Sequence, residues 1–153
     1  MPFLPSQVVV GSDHAGYELK QALVLLLKAE GLEVVDLSPT FQPGDDYPVI
    51  AHAVAERVAQ SQGQSWGALL CGSGIGVSIE ANRHAGIRAA LVRTPEDAKS
   101  AREDDHANIL ELGGRVTEAH ELPAILKAWM NTEPSQESRH LRRVAEIDRP
   151  TSH

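Results

Sequence analysis

The architecture of this chain follows from one stretch, WGALLCGSGIGVSI, at residues 66–79. Its apolar first half predicts a buried strand, and its second half predicts a helix. Between them, Gly72, Gly74 and Gly76 stand at alternate positions. Glycines allow positive φ and let backbone N–H groups approach a ligand closely. The stretch therefore predicts a strand, a glycine loop and a helix, with an anion site at the loop.

The single cysteine, Cys71, lies where the predicted strand meets the glycine loop. Oriented N–H groups and a helix N-terminus favour the thiolate form, so Cys71 is a candidate base or nucleophile. The alternative is a buried structural cysteine before an ordinary strand-to-helix turn. Two known loop motifs do not fit, because Val77 rather than lysine follows Gly76 and the dinucleotide fingerprint is one residue longer.

Composition limits the classes of function. The chain has 153 residues, 42% hydrophobic residues and a net charge of −7, which is ordinary for one globular domain. The negative charge and the 4% aromatic content argue against nucleic acid and anionic membranes as partners. One cysteine, with no signal peptide or transmembrane segment recognised, predicts a cytoplasmic protein.

Apolar strand patterns alternate with amphipathic helix patterns along the chain. Strands are predicted at 7–11, 33–37, 67–70, 87–92 and 109–113, and helices at 17–30, 47–62, after the glycine loop, and at 95–105, 118–132 and 138–147. This alternation predicts an α/β fold, a Rossmann-like three-layer α/β/α sandwich with a five-stranded parallel sheet. We expect one domain over 1–153, with an N-terminal extension at 1–6 and a C-terminal helix at 138–148.

Polar residues follow the predicted strands at the edge where such sheets bind ligands. Asp13 and His14 follow the first strand, and Arg115 follows the fifth. His14 could donate to an anion and Asp13 could orient a hydroxyl. The alternative for this pair is a helix N-cap aspartate beside an exposed histidine.

The last predicted helix carries a basic cluster, Arg139, His140, Arg142 and Arg143. Arg139 and Arg143 are four residues apart, so they share a helix face that suits a phosphate group. The alternative is a solvated helix with salt bridges to Glu137 and Glu146.

Other polar residues leave two interpretations open. Asp104-Asp105-His106 closes the fourth helix, either as an exposed cap or as a source of a general acid or base. Tyr47 is either a substrate lid or a packing residue at a helix start. Four histidines have no partner pattern and are expected to be structural or solvent-facing: His52, His84, His120 and His153. No spacing in the sequence predicts a metal site.

Several motifs occur in a fixed order that resembles one known family. They are Gly11-Ser12-Asp13-His14-Ala15-Gly16, Asp46-Tyr47-Pro48, Cys71-Gly72-Ser73-Gly74-Ile75-Gly76, Ala81-Asn82, Gly86-Ile87-Arg88-Ala89, and Arg139-His140 with Arg143. Together they resemble the ribose-5-phosphate isomerase B family, which includes galactose-6-phosphate isomerase subunits. The resemblance covers about residues 8–147. It implies interconversion of aldose and ketose phosphates through a cis-enediolate, without metal or cofactor.

The resemblance also implies roles for individual residues. Cys71 matches the base, and Ser73 matches a hydroxyl residue that assists sugar-ring opening. The backbone N–H groups of the loop would hold the enediolate oxygen, which implicates Gly72, Gly74, Ile75 and Gly76. Positions that bind phosphate are matched by His14, Arg115, Arg139 and Arg143, and positions near the sugar by Asp13 and Tyr47. Family members are dimers or tetramers with the site at the subunit boundary, so we expect a homodimer or homotetramer that binds a small phosphorylated sugar.

One departure from the family bears on the substrate. The family carries His-Asn where this chain has Asp104-Asp105, followed by His106. The family histidine opens the furanose ring, and the asparagine contacts the enediolate oxygens. Two carboxylates repel that anion unless one is protonated or turned away. Either Asp104 or His106 takes over ring opening, with Asp105 at the asparagine position, or the substrate needs no ring opening.

Three hypotheses for the activity follow. The leading one is isomerisation of ribose 5-phosphate to ribulose 5-phosphate. The second is isomerisation of another sugar phosphate, such as galactose 6-phosphate or a tetrulose 4-phosphate, which cannot close a furanose ring through its phosphorylated oxygen. The third is a non-catalytic sugar-phosphate sensor, since a fold does not determine a function.

Overall fold

The centre of the structure, a computed structural model that describes residues 3–151, is a parallel sheet. Its five strands are β1 (Gln7–Ser12), β2 (Glu33–Asp36), β3 (Ser65–Cys71), β4 (Ala89–Leu91) and β5 (Ile109–Gly113), in the order β2-β1-β3-β5-β4. All four strand pairings are parallel, which confirms the predicted sheet. The first two residues of the predicted extension, and His153, lie outside the described residues.

Helices cover both faces of the sheet. They are α1 (Tyr17–Ala29), α2 (Tyr47–Gln60), α3 (Ile75–Ala81), α4 (Pro95–Asp105), α5 (Leu122–Asn131) and α6 (Ser138–Ile147). One apolar core lies between the sheet and α1, α4 and α5, and a second lies between the sheet and α2 and α3. This confirms the three-layer α/β/α sandwich. No helix within residues 3–151 is long and apolar enough to cross a membrane.

Local hydrogen bonds explain where helix boundaries agree with the sequence and where they differ. The start of α4 at Pro95 is as predicted, because Thr94 and Asp97 form a reciprocal capping box. The helix predicted over 118–132 is instead a 3₁₀ turn at Ala119–Glu121 followed by α5. Glu118 and Glu121 form their own capping box there.

The fourth strand is shorter than the predicted 87–92 because side-chain amides replace ladder bonds. Asn108 Oδ1 accepts from the backbone N–H of Arg88, and Asn82 Oδ1 accepts from that of Ala89. Asn82, from the predicted Ala-Asn motif, therefore joins the end of α3 to the start of β4.

Candidate active site

A cleft of about 540 Å³ lies beyond the carboxyl ends of β1, β3 and β5. The residues that line it include nine of the predicted site residues, Asp13, His14, Tyr47, Cys71, Gly72, Ser73, Ile75, Gly76 and Arg115. The sheet order makes this possible, because β3 lies between β1 and β5. A neighbouring cleft of about 620 Å³ has no cysteine, histidine or cationic side chain in its lining, so the smaller cleft is the candidate site.

Cys71 ends β3 at the floor of this cleft. Its side chain is only 4% exposed and packs in the core beneath α2 and α3, yet the residue lines the cleft. The backbone N–H of Gly74 donates a hydrogen bond to Cys71 Sγ at 3.2 Å. The sulfur is thus held on the loop side by a backbone donor, which stabilises negative charge on it.

Some backbone N–H groups of the glycine loop form hydrogen bonds within the loop, and others remain unpaired within the described part of the chain. Gly74 adopts φ 78° and donates to the sulfur, and the N–H of Ile75 donates to Ser73 Oγ at 3.1 Å. The N–H groups of Gly72, Ser73 and Gly76 donate to no atom within residues 3–151. These three donors are available to a bound oxyanion, whereas the donors of Gly74 and Ile75 are already used.

His14 is held by an aspartate that the sequence analysis did not single out. Asp45 Oδ1 accepts from the backbone N–H of His14 at 2.7 Å and lies 3.1 Å from His14 Nδ1. Asp45 thereby orients the imidazole through Nδ1, and the other ring nitrogen, Nε2, takes no part in this contact. The contact joins residues 31 positions apart, within a polar loop that has no periodic pattern, so no local signal pointed to Asp45.

Asp13 closes the turn between β1 and α1. It is 6% exposed, and its Oδ1 accepts from the backbone N–H of Gly16 at 3.0 Å. The N-cap of α1 is Gly16, so the alternative of Asp13 as the helix N-cap is wrong. The carboxylate is instead a buried acceptor at the edge of the cleft.

Tyr47 and Arg115 lie directly against two of the loop glycines. A β-carbon placed on Gly76 would lie 2.5 Å from Tyr47 Cζ, and one on Gly72 would lie 3.0 Å from Arg115 Nη1. The segment after β5 is joined to the loop by backbone bonds from Gly114 to Cys71 and from Arg115 to Gly72. The glycines therefore make room for the side chains that form the cleft wall.

A buried carboxyl, Glu111, lies near the cleft and was also missed. It is fully buried, and neither carboxylate oxygen has a hydrogen-bond partner within residues 3–151. Glu111 pairs in register with Leu69, two positions before Cys71 on β3, so alternation places Glu111 and Cys71 on the same face of the sheet. Burial, and then the negative charge of Cys71, hold the pKa of Glu111 well above its usual value.

The remaining predicted residues lie apart from this cleft. Asp104, Asp105 and His106 end α4 just before β5 begins, which places them at the amino-terminal edge of the sheet, opposite Cys71. Arg139 and Arg143 are exposed on α6, and neither lines the cleft. Within one protomer, the structure does not bring these five residues to the thiol.

Contacts between five pairs of residues nevertheless hold α6 and the segment before it on the end of α4. His140 Nδ1 lies 3.5 Å from Asp104 Oδ1, and His106 Nε2 lies 2.9 Å from the carbonyl oxygen of Ser135. The backbone N–H of Ser135 donates to the carbonyl oxygen of Glu103 at 3.0 Å. Arg88 Nη1 donates to both carboxylate oxygens of Asp148, just after α6, while its Nε donates to the carbonyl oxygen of Asp105.

Arg139 and Arg143 remain exposed to solvent although α6 packs on the end of α4. Arg139 Nε donates to Glu137 Oε2 at 2.8 Å, the salt bridge expected of a solvated helix, and both side chains are more than half exposed. Exposed ion pairs are weak, so a phosphate dianion could compete with Glu137 for Arg139.

Comparisons with known proteins identify relatives over nearly the whole chain. The family model described as Ribose/Galactose Isomerase matches residues 8–147. Ribose-5-phosphate isomerase B of Mycobacterium tuberculosis is 40% identical over 139 residues, which cover 90% of this chain and 85% of the relative. The Escherichia coli protein of the same name is 36% identical over 141 residues, covering 92% and 93%.

Solved structures agree with these relatives. Ribose-5-phosphate isomerase B from Mycoplasma genitalium, solved with bound ribulose 5-phosphate, has a TM-score of 0.88 and 36% identity and covers 93% of each chain. The Thermotoga maritima enzyme has a TM-score of 0.86 and 40% identity and covers 94% of this chain and 97% of its own. The match of sequence and fold across both halves of the chain shows that this protein belongs to the ribose/galactose isomerase family.

Proposed function

We propose that this protein interconverts the aldose and ketose forms of a small sugar phosphate, with ribose 5-phosphate and ribulose 5-phosphate as the leading pair. The observation that carries the proposal is Cys71 Sγ at the floor of a cleft, bonded to Gly74 N–H and close to three unengaged loop donors. Arg115 supplies positive charge and His14 supplies an imidazole at the same cleft. Relatives with the name ribose-5-phosphate isomerase B support the choice of substrate.

The proposed chemistry is a proton transfer between neighbouring carbons. The Cys71 thiolate removes the proton from C2 of the open-chain aldose, and the C–H electrons form the C1–C2 double bond of a cis-enediolate. The resulting thiol returns its proton to C1, and the proton of the C2 hydroxyl passes to the oxygen on C1, so that C2 becomes the carbonyl carbon and C1 carries the hydroxyl group. Charge on the oxygens is stabilised by the N–H groups of Gly72, Ser73 and Gly76, and each such donor is typically worth about 10²- to 10³-fold in rate.

Ring opening needs a separate acid or base, and the contacts favour Asp104 over His106. The Ser135 carbonyl can only accept, so His106 Nε2 carries the hydrogen and is committed to that bond. The carboxylate of Asp104 is 51% exposed and only loosely paired with His140. Ser73, whose Oγ accepts from Ile75 N–H, assists from the loop side.

We infer that a second copy of the chain completes the site. Asp104, Arg139 and Arg143 lie at the opposite edge of the protomer from Cys71, so they can reach a substrate only in a neighbouring subunit's cleft. Apolar side chains at the rim of the cleft are exposed, with Ile75 at 47%, Ile79 at 64% and Val116 at 46%. Exposed apolar residues grouped beside a polar cleft are typical of an interface.

A second candidate substrate is favoured by the Asp104-Asp105 pair. A tetrulose 4-phosphate cannot form a furanose ring, so it needs no counterpart of the family's histidine. The same cysteine, loop and phosphate-binding groups would act on this shorter substrate, and only the ring-opening step would be dispensable.

A substrate panel with isotope exchange tests the proposal. Purified protein is assayed with ribose 5-phosphate, erythrulose 4-phosphate and galactose 6-phosphate, and then in heavy water to detect exchange of the transferred proton. We expect turnover of at least one of these, with Cys71→Ala as the inactive control. Turnover of ribose 5-phosphate without turnover of erythrulose 4-phosphate would rule out the tetrulose hypothesis. Binding of a sugar phosphate without turnover or exchange would establish the sensor instead.

A further inference from the structure

The fold brings together three potential metal ligands that are far apart in the sequence. His52 lies on α2, Glu80 lies near the end of α3, and His84 follows α3. One ligand atom from each lies within 4.8 Å of the others. His52 Nδ1 is 2.8 Å from His84 Nε2 and 4.0 Å from Glu80 Oε1. The histidines are 32 positions apart, which explains why spacing along the chain predicted no metal site.

The orientation of the His84 ring directs the lone pair of one nitrogen towards His52. Its Nδ1 lies 3.2 Å from the carbonyl oxygens of both Glu80 and Ala81. Carbonyl oxygens only accept, so Nδ1 carries the hydrogen and donates it. The other nitrogen, Nε2, is therefore the unprotonated one, and it faces His52. This is the usual arrangement of a metal-binding histidine, whose second nitrogen donates to a carbonyl or carboxylate.

His52 has a matching outer partner. Its Nε2 lies 3.8 Å from Glu56 Oε2, one helical turn farther along α2. Without a metal, the 2.8 Å contact is a hydrogen bond in which His52 Nδ1–H donates to the lone pair of His84 Nε2. A metal ion between the two nitrogens takes the place of that proton, and the hydrogen of His52 then lies on Nε2, on the side of Glu56.

We propose that His52, Glu80 and His84 form a binding site for a divalent transition-metal ion, with zinc as the best fit. Two imidazole nitrogens and one carboxylate oxygen are a common zinc ligand set, with the fourth position left to water or to Glu56. Tetrahedral zinc with Zn–N distances of about 2.05 Å separates its nitrogen ligands by about 3.3 Å. Small side-chain rotations would bring the three groups to that geometry, and both His52, 57% exposed, and Glu80, 27% exposed, have room to rotate.

The ion would link α2 to α3, two helices that both contribute residues to the lining of the cleft. These helices already pack together, and the first residue of α2, Tyr47, lies against Gly76 in the first turn of α3. A metal that binds the folded protein but not the unfolded chain stabilises the fold and therefore raises the melting temperature. The site is independent of the proposed isomerase chemistry, so each can be tested without the other.

Zinc titration of the untagged, chelator-treated protein tests the site. We expect one equivalent of Zn²⁺ by calorimetry, a rise in melting temperature, and a Co²⁺ visible spectrum of a tetrahedral nitrogen and oxygen site. His84→Ala and Glu80→Gln should each weaken zinc binding, His84→Ala by more than the roughly 10- to 100-fold effect of losing an outer partner. The matched control is His120→Ala, because His120, like His52, is exposed and lies beside a glutamate.

The main alternative is that zinc binds to Cys71 instead of to the histidines. Zinc bound through Cys71 would give sulfur-to-cobalt charge-transfer absorption and would be lost in Cys71→Ser. Retention of one zinc equivalent in Cys71→Ser with loss in His84→Ala supports the His52–Glu80–His84 site. Unchanged zinc binding in His84→Ala, or no binding by a parent protein whose circular dichroism shows it to be folded, overturns the proposal.

Discussion

Gly74 lies three residues after Cys71, and its backbone N–H donates a hydrogen bond to Cys71 Sγ at 3.2 Å. This contact depends on the left-handed conformation of Gly74, whose φ is 78°. A β-carbon there would lie 2.6 Å from Leu91 Cδ1 and 3.0 Å from the carbonyl carbon of Leu112. Glycine at this position therefore lets the loop fold back over the sulfur.

Removal of the thiol should abolish chemistry and spare binding. We expect Cys71→Ala to lower kcat at least about 10²-fold with little change in KM, because proton transfer needs the sulfur whereas phosphate binding does not. Steady-state kinetics with ribose 5-phosphate provide the measurement, and the melting temperature checks that the small cavity at this buried site is tolerated. Full activity in the alanine variant would remove Cys71 from the mechanism.

The close approach of Tyr47 to Gly76 predicts a non-additive pair of substitutions. In the parent protein, Gly76→Ala should destabilise by about 1–3 kcal/mol, because its new methyl group would overlap the Tyr47 ring. In a Tyr47→Ala background the overlap is gone, and the same change should stabilise by up to about 1 kcal/mol through helix propensity. Urea unfolding of the four proteins measures the coupling. Additive effects would show that the ring does not occupy that space.

The sequence predicted the layered architecture because each element carries its own signal. Buried apolar runs mark β1 and β3, Gly31 and Gly63 follow the ends of α1 and α2, and Thr94 caps α4. The sequence also predicted that Cys71, Asp13 and Arg115 lie at the same edge of the sheet, since parallel strands all end on that side. Helix ends such as 118–132 were less well predicted, because capping at Glu118 and Glu121 competes with helix periodicity there.

Contacts between distant segments could not be predicted in the same way. Asp45 reaches His14 from a loop with no periodic pattern, and His52 meets His84 only because α2 packs on α3. Glu111 interrupts an apolar strand, and nothing local distinguishes a fully buried carboxyl from one at an edge. Each of these residues becomes informative only when the sheet order is known.

Glu111 should make stability fall as pH rises. Its folded-state pKa is raised well above the ordinary 4.5, so the folded protein keeps a proton that the unfolded chain releases. The associated stability is complete below pH 4.5 and is lost as pH rises toward the folded pKa. The free energy of unfolding should therefore decrease over this window, by up to about 1.4 kcal/mol per pH unit from this group.

Urea unfolding between about pH 5 and pH 8 measures this slope. Glu111→Gln removes the titration while keeping the side chain's shape, so the variant should lose that part of the pH dependence. Glu133→Gln is the control, because Glu133 is exposed and forms no ion pair with another residue of the described range 3–151. A Glu111→Gln variant with the parental slope would show that the buried carboxyl does not titrate differently in the two states.

Subunit complementation tests whether two protomers share one site. Arg139→Ala alone should mainly raise KM, and with Arg143→Ala it should remove most phosphate binding from α6. In a mixed dimer of Cys71→Ala with the double arginine variant, one of the two sites regains both an intact thiol and intact arginines. Random assortment makes half of the dimers mixed, so an equal co-refolded mixture should recover about a quarter of parental activity at subsaturating substrate. Two inactive proteins that stay inactive after co-refolding would place Cys71 and the arginines in separate functions, since the protomer alone keeps them at opposite edges of the sheet.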